Sequence, residues 1–130
     1  MPLPEPEAGS PRDWLRHAQS DLGLCLIERP RGVLAEALCF HAQQAAEKAI
    51  KAVLVSGGVR VPRTHNIRAL VRALPEAISP PEEASDWAVL TDYAVAARYP
   101  TDTESVTEDE LLRAVSMAQR VVAWAASQIA

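Results

Sequence analysis

One stretch of the sequence gathers nitrogen-bearing side chains at helical spacing. His41, Gln44, Lys48 and Lys51 recur at three and four residues, so on an α-helix they line up along one edge. Gln43 and Glu47 share their arc, opposite Ala35, Ala42, Ala46, Ala49 and Val53. Such a line can hold a phosphate or a carboxylate, with the lysines as point charges and the imidazole as a hydrogen-bonding group. It fits equally a half-buried histidine satisfied by a backbone carbonyl, beside an ordinary solvated face. The loop that follows, Gly57-Gly58-Val59-Arg60-Val61-Pro62-Arg63-Thr64-His65, is Gly-rich and basic and leads into a helix N-terminus. That combination favours anions. Gly-Lys-Ser/Thr is absent, which removes support for nucleoside triphosphate hydrolysis of the P-loop type. The same loop also reads as a helix-terminating glycine pair followed by a solvated connection. A third place is Ala97-Arg98-Tyr99-Pro100, where Arg98 is the single base among ten acids in residues 76–110. Arg98 either complements a helix C-terminus and pairs with Asp92, Asp102 or Glu104, or presents its guanidinium to phosphate.

Metal and covalent chemistry find little support. His17, His41 and His65 fall on three different predicted elements, and neither Cys-x-x-Cys nor His-Glu-x-x-His occurs. Cys25 and Cys39 lie on apolar helix sides and read as small core residues rather than nucleophiles. No cofactor and no metal are expected.

The elements that must position these groups are helical. Ser10-Pro11-Arg12-Asp13 is an N-cap, a first-turn proline and an acid. Trp14, Leu15, Ala18, Leu22, Cys25 and Leu26 then recur at helical spacing to about residue 29. A second helix spans about 33–56 and a short third one about 66–74. Ser79-Pro80-Pro81-Glu82 opens a fourth helix, through Trp87, Leu90, Tyr93, Ala94 and Ala97. Thr107-Glu108-Asp109-Glu110 is a capping box for a fifth, with an apolar seam from Leu111 to Ile129. No segment alternates with strand periodicity. The expected fold is all-α: an antiparallel four-helix up-and-down bundle with one additional short helix, anchored by Trp14, Trp87 and Trp124. Residues 1–10 are expected to form a flexible Pro-rich N-terminus and 11–130 a single domain.

The 130 residues, 48% apolar and 23% charged, suit one folded domain. Twenty-three alanines against five glycines and one phenylalanine argue for helices over a β-sandwich. Two cysteines make no disulfide framework, and the start of the chain shows no secretion signal, so a cytoplasmic setting is expected. No apolar run approaches the roughly 18 residues of a membrane helix, so no membrane partner is expected. The net charge of −4 hides an asymmetry: residues 48–75 hold six bases and no acid, whereas residues 76–110 sum to −9. A uniformly basic nucleic-acid binder is excluded, but a local basic surface is not.

Several pieces together resemble HEPN ("higher eukaryotes and prokaryotes nucleotide-binding") domains. They are Asp21-Leu22, the run from Phe40 to Ala52 that contains His41-Ala42-Gln43-Gln44 and Glu47-Lys48-Ala49-Ile50-Lys51, Arg63-Thr64-His65-Asn66-Ile67, and Ala97-Arg98-Tyr99-Pro100. The resemblance covers about residues 12–128. It implies a helical bundle that acts as a homodimer, and many small family members are encoded beside a minimal nucleotidyltransferase in toxin–antitoxin-like pairs. Ribonuclease members carry an arginine followed within a few residues by a histidine, in a late helix or the loop before it. Arg98 occupies the matching place, and no histidine follows it. Arg12 with His17 and Arg60 with His65 match the spacing in other elements. The expectation is therefore a non-catalytic module that binds a nucleotide or RNA phosphate. Its contacts would be His41, Lys48, Lys51, Arg63, His65 and Arg98, with Tyr99 either a modification target for the nucleotidyltransferase or a packing residue at a helix end. The alternatives are a ribonuclease with a rearranged site, moving protons through His65 or His41, and a purely structural dimerisation bundle.

Overall fold

The computed structural model describes residues 4–93 and 106–129. Among them all regular structure is helical: α1 (Pro11–Leu26), α2 (Ala35–Ser56), α3 (Ile67–Arg72), a 3-10 helix (Glu82–Val89) and α4 (Glu108–Gln128). The fold is the expected all-α bundle with one extra short helix. Trp14 of α1 meets Lys51 near the far end of α2, and Asp21 meets His41 and Lys48. The two helices therefore run antiparallel. At the start of α2, Glu36 accepts from the Val106 backbone N–H, and Arg29 pairs with Glu108. Thus α2 and α4 begin at the same end, with the 3-10 helix between them in chain order.

The caps lie where the side chains dictate. The Ser10 hydroxyl accepts from Asp13 N (3.1 Å), and Asn66 Oδ1 from Ala69 N (3.1 Å). Thr107 and Glu110 form the full capping box of α4. Helix α1 ends at Leu26, short of residue 29, with Ile27 already extended at its C-cap.

The fourth helix differs from expectation in its winding. Residues 82–89 are 3-10, passing into α-helical geometry at 90–93, and its expected end at 94–97 lies outside the described residues. Ala84, Trp87 and Leu90 are buried at three-residue spacing. Three residues per turn put them in one column, where an α-helix would rotate them apart. Trp87 is the only tryptophan fully buried. Its ring packs at 5.5 Å from that of the half-buried Trp124, and Trp14 is also half-buried.

Helix α2 is the centre of the molecule, packed chiefly on α1 and α4. Its alanines (Ala42, Ala45, Ala46, Ala49, Ala52) are fully buried, so the neighbouring backbones approach closely. Gly57 ends α2 against Pro75 and Ile78; a Cβ there would stand 2.8 Å from Pro75 Cγ.

Candidate functional site

The polar arc of α2 is not a solvated face. Gln43, Glu47 and Lys51 are 0%, 2% and 7% exposed. Burying charge requires pairing, and the pairing follows from helical spacing. The Glu47 carboxylate takes Lys51 Nζ on Oε2 (2.9 Å), and Gln43 Nε2 on Oε1 (3.0 Å). His65 Nδ1, from the loop after α2, reaches the same Oε1 at 2.9 Å. Gln43 also donates to the His65 carbonyl (3.4 Å) and accepts from Gln44 Nε2 (2.7 Å). Burial pushes the Glu47 carboxyl up. Bonds donated by Lys51, Gln43 and His65, with the charge of Lys51, outweigh burial and hold it below its ordinary value.

A second network of the same make lies one turn away. Asp21 of α1 takes His41 Nδ1 on Oδ1 (3.0 Å) and Lys48 Nζ on Oδ2 (2.6 Å). In each network a carboxylate is forked, one oxygen to a lysine and the other to an imidazole Nδ1. A carboxylate only accepts, so both Nδ1 atoms carry hydrogen. Neither Nε2 has a hydrogen-bond partner among the described residues.

The lysines expected to offer free charge are thus already balanced by Asp21 and Glu47, and Lys51 Nζ also sits 5.6 Å from the centre of the Trp14 ring. The unbalanced charge of the acid-free block lies further along. Arg60, Arg63, Arg68 and Arg72 are all exposed, and none forms an ion pair among the described residues. His65, its side chain 57% exposed, sits within this arginine segment. The structure therefore brings His65 and Lys51 together through Glu47, and His41 and Lys48 together through Asp21. Arg63 lies in the loop that carries His65, two residues before it. Arg98 and Tyr99 lie outside the described residues.

Asp21 and Glu47, the two carboxylates at the centre of these networks, lie outside the contacts expected from the sequence, although each leaves a signal there. Asp21 is an acid in the middle of the Trp14, Ala18 and Cys25 stripe of α1, a position that demands a buried partner. Glu47 stands four residues from both Gln43 and Lys51. Among the described residues no cluster of three or more His, Cys, Asp or Glu could hold a metal ion. The thiols are poor nucleophiles: burial pushes Cys25 up to about 11 and Cys39 up to about 12.

The HEPN domain model matches residues 11–129. The chain belongs to the HEPN family. Among solved structures, this HEPN chain is similar to TT1696 from Thermus thermophilus, at 31% identity and a TM-score of 0.81, over 93% of this chain and 99% of that one. It is also similar to ST0689, described as an archaeal HEPN homologue, at 26% identity and a TM-score of 0.69, over 93% and 98% of the two chains. No curated protein matches it. No described helix of this HEPN domain is long and apolar enough to cross a membrane.

Proposed function

We propose that this HEPN domain binds a nucleotide or RNA through its phosphates, as a non-catalytic homodimer working with a minimal nucleotidyltransferase. The observation that carries the reading is the set of exposed arginines Arg60, Arg63, Arg68 and Arg72, whose guanidiniums have no carboxylate partner among the described residues, with the exposed His65 among them. Guanidiniums hold phosphate bidentately, and a basic surface on an otherwise acidic chain concentrates polyanions locally. In this reading Arg63 and Arg98 clasp phosphate and His65 hydrogen-bonds the ligand. Lys48, Lys51 and His41, paired with Asp21 and Glu47, hold the α2 edge in shape behind it. Support for a dimer comes from Leu26, Ile27, Leu34 and Leu112, large apolar residues left exposed where α1 ends and α2 and α4 begin. Titration of the purified protein with nucleotides and short RNA, in wild type, Arg63→Ala and Arg98→Ala, tests the reading. Saturable binding weakened by both substitutions is expected. Absence of binding, or binding indifferent to both, would refute it.

A ribonuclease reading is favoured by one specific feature. Both imidazoles are oriented by carboxylates and keep Nε2 unengaged among the described residues, the arrangement a proton-transferring histidine requires. Metal-independent RNA cleavage abolished by His65→Ala or His41→Ala would establish it in place of simple binding.

A further inference from the structure

Between α3 and the segment 82–92 lies a groove of about 620 Å³, separate from the two carboxylate networks and within the range of about 300–1,000 Å³ common for ligand pockets. One bond fixes one end of it: Ile67 N donates to Thr91 Oγ1 at 3.1 Å. Asn66 stands one residue before that donor and Asp92 one residue after that acceptor, and both line the groove. Their polarity is set. Asn66 spends its Oδ1 on Ala69 N (3.1 Å), so its amide has hydrogens to offer. Asp92 is exposed, forms no ion pair among the described residues and, as a carboxylate, only accepts. Ala88, Val89 and Met117 line the same groove and give a flat ring apolar surface, including a sulfur, to lie on.

A second groove, of about 430 Å³, adjoins the first, and the two share Arg68, Ser85 and Ala88. Arg72 lies one turn beyond Arg68 on the same face of α3. Against these two guanidiniums the lining carries one carboxylate, Glu82. From Asn66 to Arg72 is six residues, about 9 Å of helix, which is the scale of a nucleotide from the pairing edge of its base to its 5′-phosphate.

We infer that the groove selects guanine: Asn66 and Asp92 read the base, and Arg68 and Arg72 take its 5′-phosphate. This rests on the phosphate-binding reading above and adds to it the base and the place where it is read. Guanine carries its O6 acceptor beside two adjacent donors, N1–H and the N2 amine. One carboxylate accepts from both donors while the Asn66 amide donates to O6. Adenine reverses every one of these contacts. Its N1 lone pair would face the Asp92 carboxylate and its N6 amine the Asn66 amide, so it is repelled as well as unmatched. Cytosine and uracil each bring a single donor group to the pairing edge, and leave part of the carboxylate unsatisfied.

The probes are GMP, AMP and xanthosine 5′-monophosphate, titrated at neutral pH, with thermal melts confirming that each variant is folded. Wild type is expected to prefer GMP to AMP by about tenfold or more. Asp92→Asn exchanges an accepting oxygen for a donating amide. It should erase that preference and favour the xanthine nucleotide, whose C2 carbonyl accepts where the guanine amine donates. Asp86→Asn removes a charge from the same groove and should leave the preference intact. Arg68→Ala/Arg72→Ala should weaken GMP and AMP alike. An oligouridylate with one central guanosine identifies the source of the base. Tighter binding than the all-uridine oligomer makes it RNA, and equal binding beside a GMP preference makes it the free nucleotide. Equal affinity of wild type for GMP and AMP would overturn the inference and leave phosphate binding standing. So would a GMP preference that Asp92→Asn does not change or that Asp86→Asn abolishes. Absence of binding by every nucleotide and oligomer would overturn both.

Discussion

Replacing Glu47 by glutamine keeps the shape of the side chain and removes its charge, leaving Lys51 with a buried ammonium and no counter-ion. Glu47 is 2% exposed and the Lys51 side chain 9% exposed, so water screens neither group. Removing one partner of such a pair costs about 3–5 kcal/mol. For a chain of this length that is a fall of roughly 10–20 °C in melting temperature. No cavity adds to the cost, since the amide fills the same space and still accepts from Gln43 and His65. The double variant Glu47→Gln/Lys51→Met removes both charges and should recover most of the loss. Urea unfolding followed by circular dichroism at neutral pH measures all three proteins. The pH dependence carries a second signature. The folded carboxyl lies below its ordinary value of 4.5, so the unfolded chain binds the extra proton first. The stabilisation is therefore complete above about 4.5 and is lost as pH falls through the folded value. Glu47→Gln should lack that acid limb. A cost below about 1 kcal/mol, as for a solvent-screened pair, or a double variant no more stable than the single one, would refute this account of the buried network.

Three further outcomes follow from the packing. Thr107→Ala removes the hydroxyl that accepts from Glu110 N at 3.1 Å and should cost about 1 kcal/mol in the same unfolding assay. Trp87→Ala empties a site that is 1% exposed and should cost about 3–5 kcal/mol. Near-ultraviolet circular dichroism should also change through its contact with Trp124. With both thiols raised to about 11 and about 12, alkylation of Cys25 and Cys39 at neutral pH should be slow in the folded protein and rapid in urea.

The bundle was legible in the sequence because caps and apolar spacing are local signals. Ser10, Asn66 and the Thr107/Glu110 box act within one turn, and the structure places each helix start within two residues of them or of its apolar onset. Two features were less legible for physical reasons. The 3-10 winding of residues 82–89 depends on which side chains a neighbouring surface buries. Ala84, Trp87 and Leu90 fit either period until their common burial is known. The burial of the α2 polar arc depends on partners distant in sequence, with Asp21 reaching His41 and Lys48, and His65 reaching back to Glu47. Spacing alone showed that His41, Lys48 and Lys51 share an edge. It could not show that carboxylates had already claimed them, which moves the unbalanced positive charge to Arg60, Arg63, Arg68 and Arg72.

That relocation of charge is the centre of the account, and the salt dependence of RNA binding tests it most directly. Each phosphate neutralised on a single strand steepens the fall of log affinity against log salt by about 0.7. The slope of wild type should correspond to two or more phosphates, and Arg60→Ala/Arg63→Ala should reduce it by the share of about two contacts. A slope unchanged by the double substitution, or binding that salt does not weaken, would contradict the assignment of phosphate recognition to this segment.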